Sequence, residues 1–265
     1  MTTIPAAGSE RAAGSEREVE LAANLATLRD RIAAAELAAG RASGAVKLVA
    51  VTKTWPAADI ELLLKLGVDQ IGENREQEAH PKWLELHERH PHVVWHMIGQ
   101  LQTNKAAAVA RWADVVHSVD RERLVGALEL GATQQGRAIQ VLLQIDLPSA
   151  GVGPAGVKPA GVRPAAGGPA SRGGVRPGEL ESLARAVLAA ERLQLAGVMA
   201  VAPLGVDPDE AFAELAQCSS TVVAISSSAT MISAGMSGDL EAAVRHGATH
   251  VRVGSALLGH RPSLR

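Results

Sequence analysis

Aromatic residues are scarce in this chain of 265 residues, which has no tyrosine, one phenylalanine and four tryptophans. A hydrophobic core must therefore be filled mainly by leucine, valine, isoleucine and alanine. Branched aliphatic side chains fill parallel sheets that are covered on both faces, and they also fill the interiors of α/β barrels. The composition thus favours an α/β protein with a parallel sheet.

Cysteine, net charge and long apolar runs are scarce as well. Cys218 is the one cysteine, so no intramolecular disulfide can form, which is typical of the reducing cytoplasm. The formal net charge of −2 gives no general affinity for nucleic acid or anionic membranes. The first residues lack a signal-peptide pattern, and no apolar run reaches the roughly 18 residues of a membrane helix. We therefore expect a cytoplasmic protein that binds neither nucleic acid nor membrane.

Low-complexity sequence marks two segments outside the expected fold. Residues 1–15, in which GSERAAGSE nearly repeats itself, are expected to be a disordered tail. Residues 148–176 repeat AGVxP and are expected to form a mobile loop without a core. Their GVGPAG matches the dinucleotide-binding pattern only formally, because a proline lies inside it and no helix starts on it. Residues 16–265, with the loop as an insertion, are expected to form one domain.

The domain is predicted to begin with a helix from Glu18 to about Ala42, which either packs outside the fold or plugs one end. Its apolar positions recur at helical spacing and are Leu21, Leu25, Leu28, Ile32 and Leu37.

Eight strands rich in valine and isoleucine are predicted after that helix. They comprise residues 47–52, 69–72, 93–98, 114–119, 139–145, 195–201, 230–234 and 249–253. Their alternation with helices favours a single (β/α)8 TIM-type barrel with an extra N-terminal helix over a doubly wound open sheet. TVVAIS (221–226) has strand propensity, but an extra strand would break the alternation, so we interpret it as the end of a helix.

Lys53 is the first candidate site residue. It follows the apolar run LVAVT and precedes TWP, whose proline is placed to begin a helix. In a barrel this position lies at the carboxyl-terminal mouth, where active sites are found. Apolar neighbours would disfavour the charged ammonium and leave a nucleophilic amine. The alternative is a lysine that only extends into solvent from a strand end.

Two turns that combine glycine with a hydroxyl side chain are candidates for binding an anion. SAGMSGD (233–239) follows the seventh strand, and VRVGS (251–255) contains the end of the eighth. Glycine lets backbone N–H groups approach a phosphate, and barrels typically bind phosphate after strands 7 and 8. The helix that starts near Asp239 would add its positive end. The alternative is a pair of helix N-caps.

Three further polar residues are predicted to point towards the same mouth. Arg252 lies in an otherwise apolar strand, so it needs a carboxylate or a ligand acceptor as its partner. Asn74 follows the second strand and His96 lies on the third, and the alternative for each is a polar group satisfied within the core. No metal site is expected, because the histidines lack a compact ligand spacing and no cysteine assists them.

Six motifs occur in a defined order along the chain. They are AVTKTWP, IGENREQEA, VVWHMIGQLQTNK, VHSVD, GVMAVAP and GMSGDLEAAVRHGATHVRVGSALLG. In order and spacing they closely resemble the YggS/PROSC family of pyridoxal 5′-phosphate (PLP) homeostasis proteins, which is similar to the barrel domain of alanine racemase. The resemblance extends from about Lys47 to Arg261 and is broken only by the insertion at 148–172.

The resemblance implies a PLP site at the barrel mouth. It implies that Lys53 forms a Schiff base with PLP, that Arg252 faces the pyridine nitrogen, and that Asn74 and His96 lie near the ring. The implied phosphate site comprises Gly235, Met236, Ser237, Gly254 and Ser255, and Ser233 is a further cofactor-binding candidate. Ser255 stands where many relatives have threonine, which keeps the hydroxyl. Arg75 stands where the family often has an aromatic residue, so a ring contact on that side is not expected.

The function that the resemblance implies is a carrier or buffer of PLP without robust catalysis and therefore without catalytic residues. An arginine opposite the ring nitrogen discourages ring protonation, which enzymes that use PLP as a full electron sink need. The alternatives are a weak PLP-dependent racemase or lyase, and a phosphate-sugar or nucleotide-binding barrel without PLP. The two-base scheme of alanine racemase is excluded, because it uses a tyrosine. Apo-enzymes that use PLP are expected partners, and a monomer or weak dimer is expected.

Overall fold

The computed structural model of the protein describes residues 7–147 and 173–259, with side chains described from residue 16 onwards. Eight parallel strands follow one another in chain order around a closed barrel. They are β1 (Lys47–Val51), β2 (Gln70–Glu73), β3 (Val94–Met97), β4 (Val115–Val119), β5 (Ile139–Gln144), β6 (Leu193–Met199), β7 (Met231–Ser233) and β8 (His250–Val253). The predicted barrel is confirmed, and the open sheet is wrong because β8 pairs with β1.

Helices surround the barrel. They are α1 (Ala7–Ala38), α2 (Ala57–Lys65), α3 (Glu76–Leu86), α4 (Ala106–Val109), α5 (Glu122–Gln135), α6 (Leu180–Leu188), α7 (Pro208–Ile225), α8 (Leu240–Arg245) and α9 (Ser255–Leu258). The ambiguous run TVVAIS lies at the end of α7, as predicted. Within the two described ranges, no helix combines the length and the apolar character needed to cross a bilayer.

Helix α1 begins at Ala7 rather than Glu18, so residues 7–15 are helical here instead of belonging to a disordered tail. Residues 1–6 lie outside the described residues. The segment 7–15 includes alanine, glutamate and arginine, which favour helix, and extending an existing helix needs no new nucleation. The helix ends at Ala38 rather than near Ala42, because Gly40 turns the chain with a φ of +66°.

Helix α1 packs on the outside of the barrel, between α2 on one side and α8 and α9 on the other. It thus closes the outer layer beside β8 and β1. Its buried stripe includes Leu21, Leu25, Leu28 and Ile32, as predicted. Leu37 belongs to the same predicted stripe but is 80% exposed, because five residues of helix after Ile32 turn its side chain away from the barrel.

The interior of the barrel is polar on one side and apolar on the other. Val115, Leu142 and Met199 form a small buried cluster from β4, β5 and β6. Buried polar side chains on β2, β3, β4, β7 and β8 include Gln70, His96, His117, Ser233, His250 and Arg252. Branched aliphatic residues usually fill such a barrel, and buried polar groups are costly unless they are hydrogen-bonded. The polar half therefore indicates a functional interior.

Residues 148–172 of the predicted mobile loop lie outside the described residues, but its last part does not behave as a loop without structure. Val175 is buried, pairs with Ile145 in a parallel bridge and donates its N–H to the carbonyl oxygen of Gln144 at 2.8 Å. Gly174, with a φ of +130°, packs against the backbone of Asp146. The chain thus rejoins the barrel at residues 173–175, because Val175 is apolar and its backbone groups pair with those at the end of β5.

Candidate functional site

Lys53 lies two residues beyond the end of β1, at the carboxyl-terminal mouth of the barrel. Its side chain is exposed, so it is not held among apolar neighbours as expected. The predicted position at the mouth is realised, and the amine is accessible to a ligand that enters from solvent.

The backbone after Lys53 adopts an unusual conformation. Thr54 has a φ of +68°, and within the described ranges it is the one non-glycine residue with a positive φ. A β-branched residue rarely adopts this region, and such a conformation costs about 1–3 kcal/mol. The N–H of Thr54 donates to Oε2 of Glu78 at 3.0 Å, which helps to hold it. Contacts with α3 therefore fix the segment that carries Lys53.

A cluster of Thr52, Glu73 and Lys82 also holds the segment that carries Lys53. The Lys82 ammonium donates to Oε1 of Glu73 at 2.6 Å and to the carbonyl oxygen of Thr52 at 2.9 Å. The Thr52 hydroxyl donates to the same Oε1 at 2.7 Å. Burial raises the pKa of Glu73, and the neighbouring Lys82 opposes that shift. The cluster ties the end of β1 to β2 and α3 at Thr52, the residue that precedes Lys53.

Arg17 of α1 connects residues on two sides of the mouth. Its guanidinium carbon lies 4.5 Å from the ring centroid of Trp55, and its Nη2 lies 2.8 Å from Oδ2 of Asp59 in α2. The same Nη2 donates to the carbonyl oxygen of Leu258 at 3.0 Å, at the end of α9. One side chain thus links the turn after Lys53 to the helix that follows β8.

The loops after β7 and β8 meet, as the two glycine-hydroxyl turns predicted. The hydroxyl oxygens of Ser237 and Ser255 are 3.3 Å apart, and the N–H of Ala256 donates to Ser237 Oγ at 3.4 Å. The N-cap residues of α8 and α9 are Asp239 and Gly254, so neither serine is the N-cap residue of the helix that follows it. Two hydroxyls from different loops therefore face one another at the mouth.

Gly235 and Met236 build the turn that presents Ser237. Gly235 has a φ of +88°, and a Cβ atom there would lie 2.7 Å from the Cβ of Ala243 in α8. Glycine is therefore required for both conformation and space. The N–H of Met236 donates to Oδ1 of Asp239 at 2.6 Å, so this amide is already occupied within the loop.

Arg252 points into the barrel from β8 and is only 5% exposed. Its Nη1 donates to Ser233 Oγ at 2.6 Å, and its Nη2 donates to the carbonyl oxygen of Ala200 at 2.8 Å. Burial lowers the pKa of Arg252 to about 10, and Asp239 acts in the opposite direction, so the group remains a cation at neutral pH. In the described part of the chain it forms no ion pair with a carboxylate. Its charge is therefore available to a ligand that carries an acceptor.

His96 lies deeper than predicted. It is fully buried in the barrel, and its ring nitrogens contact His117 at 2.8 Å and Gln70 at 2.9 Å. Burial lowers the pKa of His96 to about 3, with smaller effects of His250 and Lys47. Because both ring nitrogens form hydrogen bonds inside the barrel, His96 can affect a ligand in the mouth only indirectly, through the residues that it contacts.

Asn74 is half-buried directly after β2, on the predicted side of the barrel. The loop after β3 passes so close that a Cβ atom on Gly99 would overlap the Asn74 carbonyl oxygen, which fixes the backbone at this point. The neighbouring Arg75 is exposed and lies 3.9 Å from Glu78, so an arginine in this position faces solvent and α3.

Sequence reasoning missed the supporting residues around the site. Arg17, Glu73, Lys82 and His117 were not singled out, although His117 lies in the quoted motif VHSVD. Strand alternation was the available signal for His117, because it shares the inward face of β4 with Val115. No comparable signal exists for Arg17, because its partners at the mouth, Trp55, Asp59 and Leu258, lie far away in sequence.

Other sites are less suitable. No group of three or more histidine, cysteine, aspartate or glutamate side chains that could hold a metal occurs among residues 16–147 and 173–259. A cavity of about 410 Å³ lies between α1 and the amino ends of β1 and β2, with Arg29, Lys47 and Gln70 in its wall. It opens at the end opposite to the mouth, and barrel active sites lie at the carboxyl ends of the strands.

Comparison with known proteins agrees with this geometry. The family of the alanine racemase N-terminal domain matches residues 21–262. The pyridoxal phosphate homeostasis protein of Mycobacterium tuberculosis H37Rv is 41% identical over 263 residues, which cover 93% of this chain and 95% of that protein. The protein of the same name from Escherichia coli K12 is 34% identical over 250 residues, covering 91% and 97%.

Solved structures give the same result. PipY of Synechococcus elongatus with PLP bound superposes with a TM-score of 0.69 at 32% identity, over 90% of this chain and 100% of PipY. Alanine racemase from Corynebacterium glutamicum superposes with a TM-score of 0.62 at 17% identity, which shows a shared fold. The match covers 92% of this chain but 62% of the racemase, which is the longer chain.

Proposed function

This chain belongs to the pyridoxal phosphate homeostasis proteins, and from that premise we propose that it holds PLP reversibly as a Schiff base on Lys53. One observation carries the proposal: three different binding groups come together on neighbouring strands. β7, β8 and β1 are adjacent in the barrel. They bring the Ser237 and Ser255 hydroxyls, the buried cation of Arg252 and the amine of Lys53 to one mouth.

These groups fit the chemistry of the cofactor. PLP supplies an aldehyde that condenses with a primary amine with loss of water, a phosphate, and a ring nitrogen that accepts a hydrogen bond. Lys53 is an exposed amine, and the two serine hydroxyls are donors for a phosphate. Arg252 is a buried donor that pairs with no carboxylate among the described residues. The aldehyde, the phosphate and the ring nitrogen of the cofactor thus each have a chemically matching partner in this mouth.

The site favours binding over turnover. Arg252 remains charged at neutral pH, so it donates a hydrogen bond to a facing ring nitrogen and does not protonate it. The chain has no tyrosine that could serve as the second base of a racemase. We therefore propose a carrier or buffer without robust catalysis.

The first experiment is an absorption spectrum after PLP has been added and the excess removed. Wild-type protein is expected to retain a visible Schiff-base band that borohydride reduction discharges, and Lys53→Ala is expected to lose it. Lys65→Ala is the matched control, because Lys65 is an exposed lysine at the end of α2. A band that persists in Lys53→Ala, or none in wild type, would contradict the proposed role of Lys53 and favour a phosphate-binding barrel without PLP.

The competing function, a weak racemase or lyase, is tested on the loaded protein. A broad panel of D- and L-amino acids is incubated with wild type and Lys53→Ala, and conversion is followed by chiral chromatography. No conversion is expected. Conversion of an amino acid that depends on Lys53 would contradict the proposed carrier function and show that the protein is an enzyme.

We further propose that apo-enzymes that use PLP receive the cofactor from this protein. Exposed apolar side chains on the loops after β6 and β7, Val201, Leu204 and Met236, support a contact with another protein beside the mouth. Light scattering is expected to show a monomer or weak dimer, which leaves these loops accessible. The PLP-loaded protein is mixed with an apo-enzyme, and the recovery of the enzyme's activity is followed. Recovery should be faster than the rate at which the loaded protein releases PLP when no apo-enzyme is present.

A further inference from the structure

A chain of hydrogen bonds crosses the barrel interior from β8 to β2. It runs from Arg252 Nη1 to Ser233 Oγ (2.6 Å), and from Ser233 Oγ to His117 Nδ1 (3.0 Å). It continues from His117 Nε2 to His96 Nδ1 (2.8 Å) and from His96 Nε2 to Gln70 Oε1 (2.9 Å). All five residues are buried, and each contact joins two side chains directly, so water is not needed to complete the chain.

The two ends determine the direction of the chain. A guanidinium only donates, so Ser233 Oγ must accept from Arg252. At the other end, Gln70 Nε2 donates to Oδ1 of Asp69 at 3.2 Å, which turns the Gln70 carbonyl oxygen towards His96. An amide oxygen only accepts, so Nε2 of His96 must carry a hydrogen.

With both ends fixed and both rings neutral, the positions of the remaining hydrogens are determined. A neutral His96 with hydrogen on Nε2 offers a lone pair on Nδ1, so His117 must donate from Nε2. A neutral His117 accepts at Nδ1, so the Ser233 hydroxyl must donate to it. Four contacts use four hydrogens. An additional proton on Nδ1 of His96 would face the Nε2 hydrogen of His117, and one on Nδ1 of His117 would displace the Ser233 hydroxyl hydrogen from their contact.

We infer that His96, His117 and Ser233 form a one-way hydrogen-bond relay whose role is to position Arg252 as a donor towards the ligand in the mouth. The relay consists of neutral groups, so it orients the guanidinium without cancelling its charge. A carboxylate in the same place would hold Arg252 equally well but would weaken its attraction for an acceptor on a ligand. His96, His117 and Ser233 are thus positioning residues. Their link to PLP rests on the proposed function, whereas the proton arrangement does not.

The proton arrangement is tested first, in full-length wild-type protein without added PLP. Long-range ¹H–¹⁵N correlation spectra of histidine-labelled protein at pH 7 should show both His96 and His117 as neutral rings with hydrogen on Nε2. A hydrogen on Nδ1 of either ring, or a doubly protonated ring, would overturn the relay. This measurement needs no substitution and no cofactor.

The effect on Arg252 is tested with Ser233→Ala and a matched control, Ser118→Ala. Ser118 lies next to His117 on β4 and is buried, and its hydroxyl has no hydrogen-bond partner among the described residues, so its removal breaks no contact of the relay. The slowly exchanging guanidinium N–H signal of Arg252 should be lost in Ser233→Ala and kept in Ser118→Ala. The dissociation constant for PLP should rise about tenfold or more in Ser233→Ala, as for a lost hydrogen bond to a charged group.

The outcomes separate the relay from the proposed function. Equal guanidinium exchange in the two variants would overturn the positioning role. If wild-type protein retains no PLP, the proposed function fails, and the tautomers and the Arg252 exchange still decide the relay. Ser233→Thr restores the hydroxyl and is expected to recover the Arg252 signal, which separates loss of the hydrogen bond from loss of folding.

Discussion

Replacing Lys82 with methionine is expected to destabilise the protein strongly. Lys82 is the cation beside Glu73, whose side chain is fully buried and whose second oxygen, Oε2, has no hydrogen-bond partner in the described part of the chain. Lys82→Met keeps most of the apolar stem but leaves a buried carboxylate with only the Thr52 hydroxyl. Breaking a buried pair in this way costs about 3–5 kcal/mol. With about 2–4 °C per kcal/mol for a large domain, the melting temperature should fall by about 6–20 °C.

The loss should depend on pH. Burial raises the pKa of Glu73 above its usual value, and Lys82 opposes that rise, so Lys82→Met should raise the pKa of Glu73 further. A carboxyl group whose pKa is higher in the folded than in the unfolded state binds more protons when folded. Its stability contribution is therefore lost as the pH rises from the unfolded pKa through the folded pKa. Lys82→Met should accordingly lose stability as the pH rises above about 4.5, more steeply than wild type.

Urea unfolding at several pH values measures both effects, with the exposed Lys65→Met as the control. Adding Glu73→Gln to Lys82→Met removes the unpaired charge and should recover most of the lost free energy of unfolding. The reasoning would be refuted if Lys82→Met cost less than about 1 kcal/mol, the usual value of an exposed pair. It would also be refuted if the two substitutions were simply additive.

Three further predictions concern the mouth and the reactivity of the chain. Arg17→Ala should accelerate PLP release and lower the melting temperature by a few degrees, because it removes the contacts with Trp55 and Asp59. Arg185→Ala, which removes an exposed arginine of α6, should change neither. Equal release rates of the two variants would contradict a role of Arg17 in holding the mouth. Gly235→Ala should destabilise the protein by about 1–3 kcal/mol and weaken PLP retention, because its φ is +88° and a Cβ has no room. Gly238→Ala in the same loop is the control, because no atom of the described residues lies within 4 Å of a Cβ placed there. Equal melting temperatures of the two variants would be inconsistent with the close packing at Gly235. Burial raises the pKa of Cys218 to about 11, so iodoacetamide at pH 8 should label the thiol only after unfolding, and rapid labelling of native protein would argue against its burial.

The strands and their order were predictable from sequence, because strands buried on both faces are short, apolar and rich in valine and isoleucine. The runs at 47–52 and 139–145 match β1 and β5 to within one residue at each end. Lys53 and the loops of Ser237 and Ser255 were located by the same logic, because every such loop follows a strand and therefore lies at one end of the barrel.

The partners of the site residues were not predictable in this way. His96 and His117 are 21 residues apart, and their contact depends on the register between β3 and β4. The exposure of Lys53 depends on the turn at Thr54, whose positive φ is unusual for its residue type. The bridge formed by Val175 was hidden by the low-complexity sequence around it.

The placement of α1 has a consequence for the order of folding. The helix is synthesised first, yet its partners α8 and α9 are synthesised last: Asn24 donates to the carbonyl oxygen of Leu257, 233 residues later. Until those residues leave the ribosome, the apolar stripe of Leu21, Leu25 and Leu28 has no permanent surface to cover it. Contacts between such distant residues slow folding, and exposed apolar surface promotes aggregation in the meantime. The nascent chain is therefore expected to need chaperone protection of its first helix, and a fragment ending before β8 should aggregate or bind chaperones.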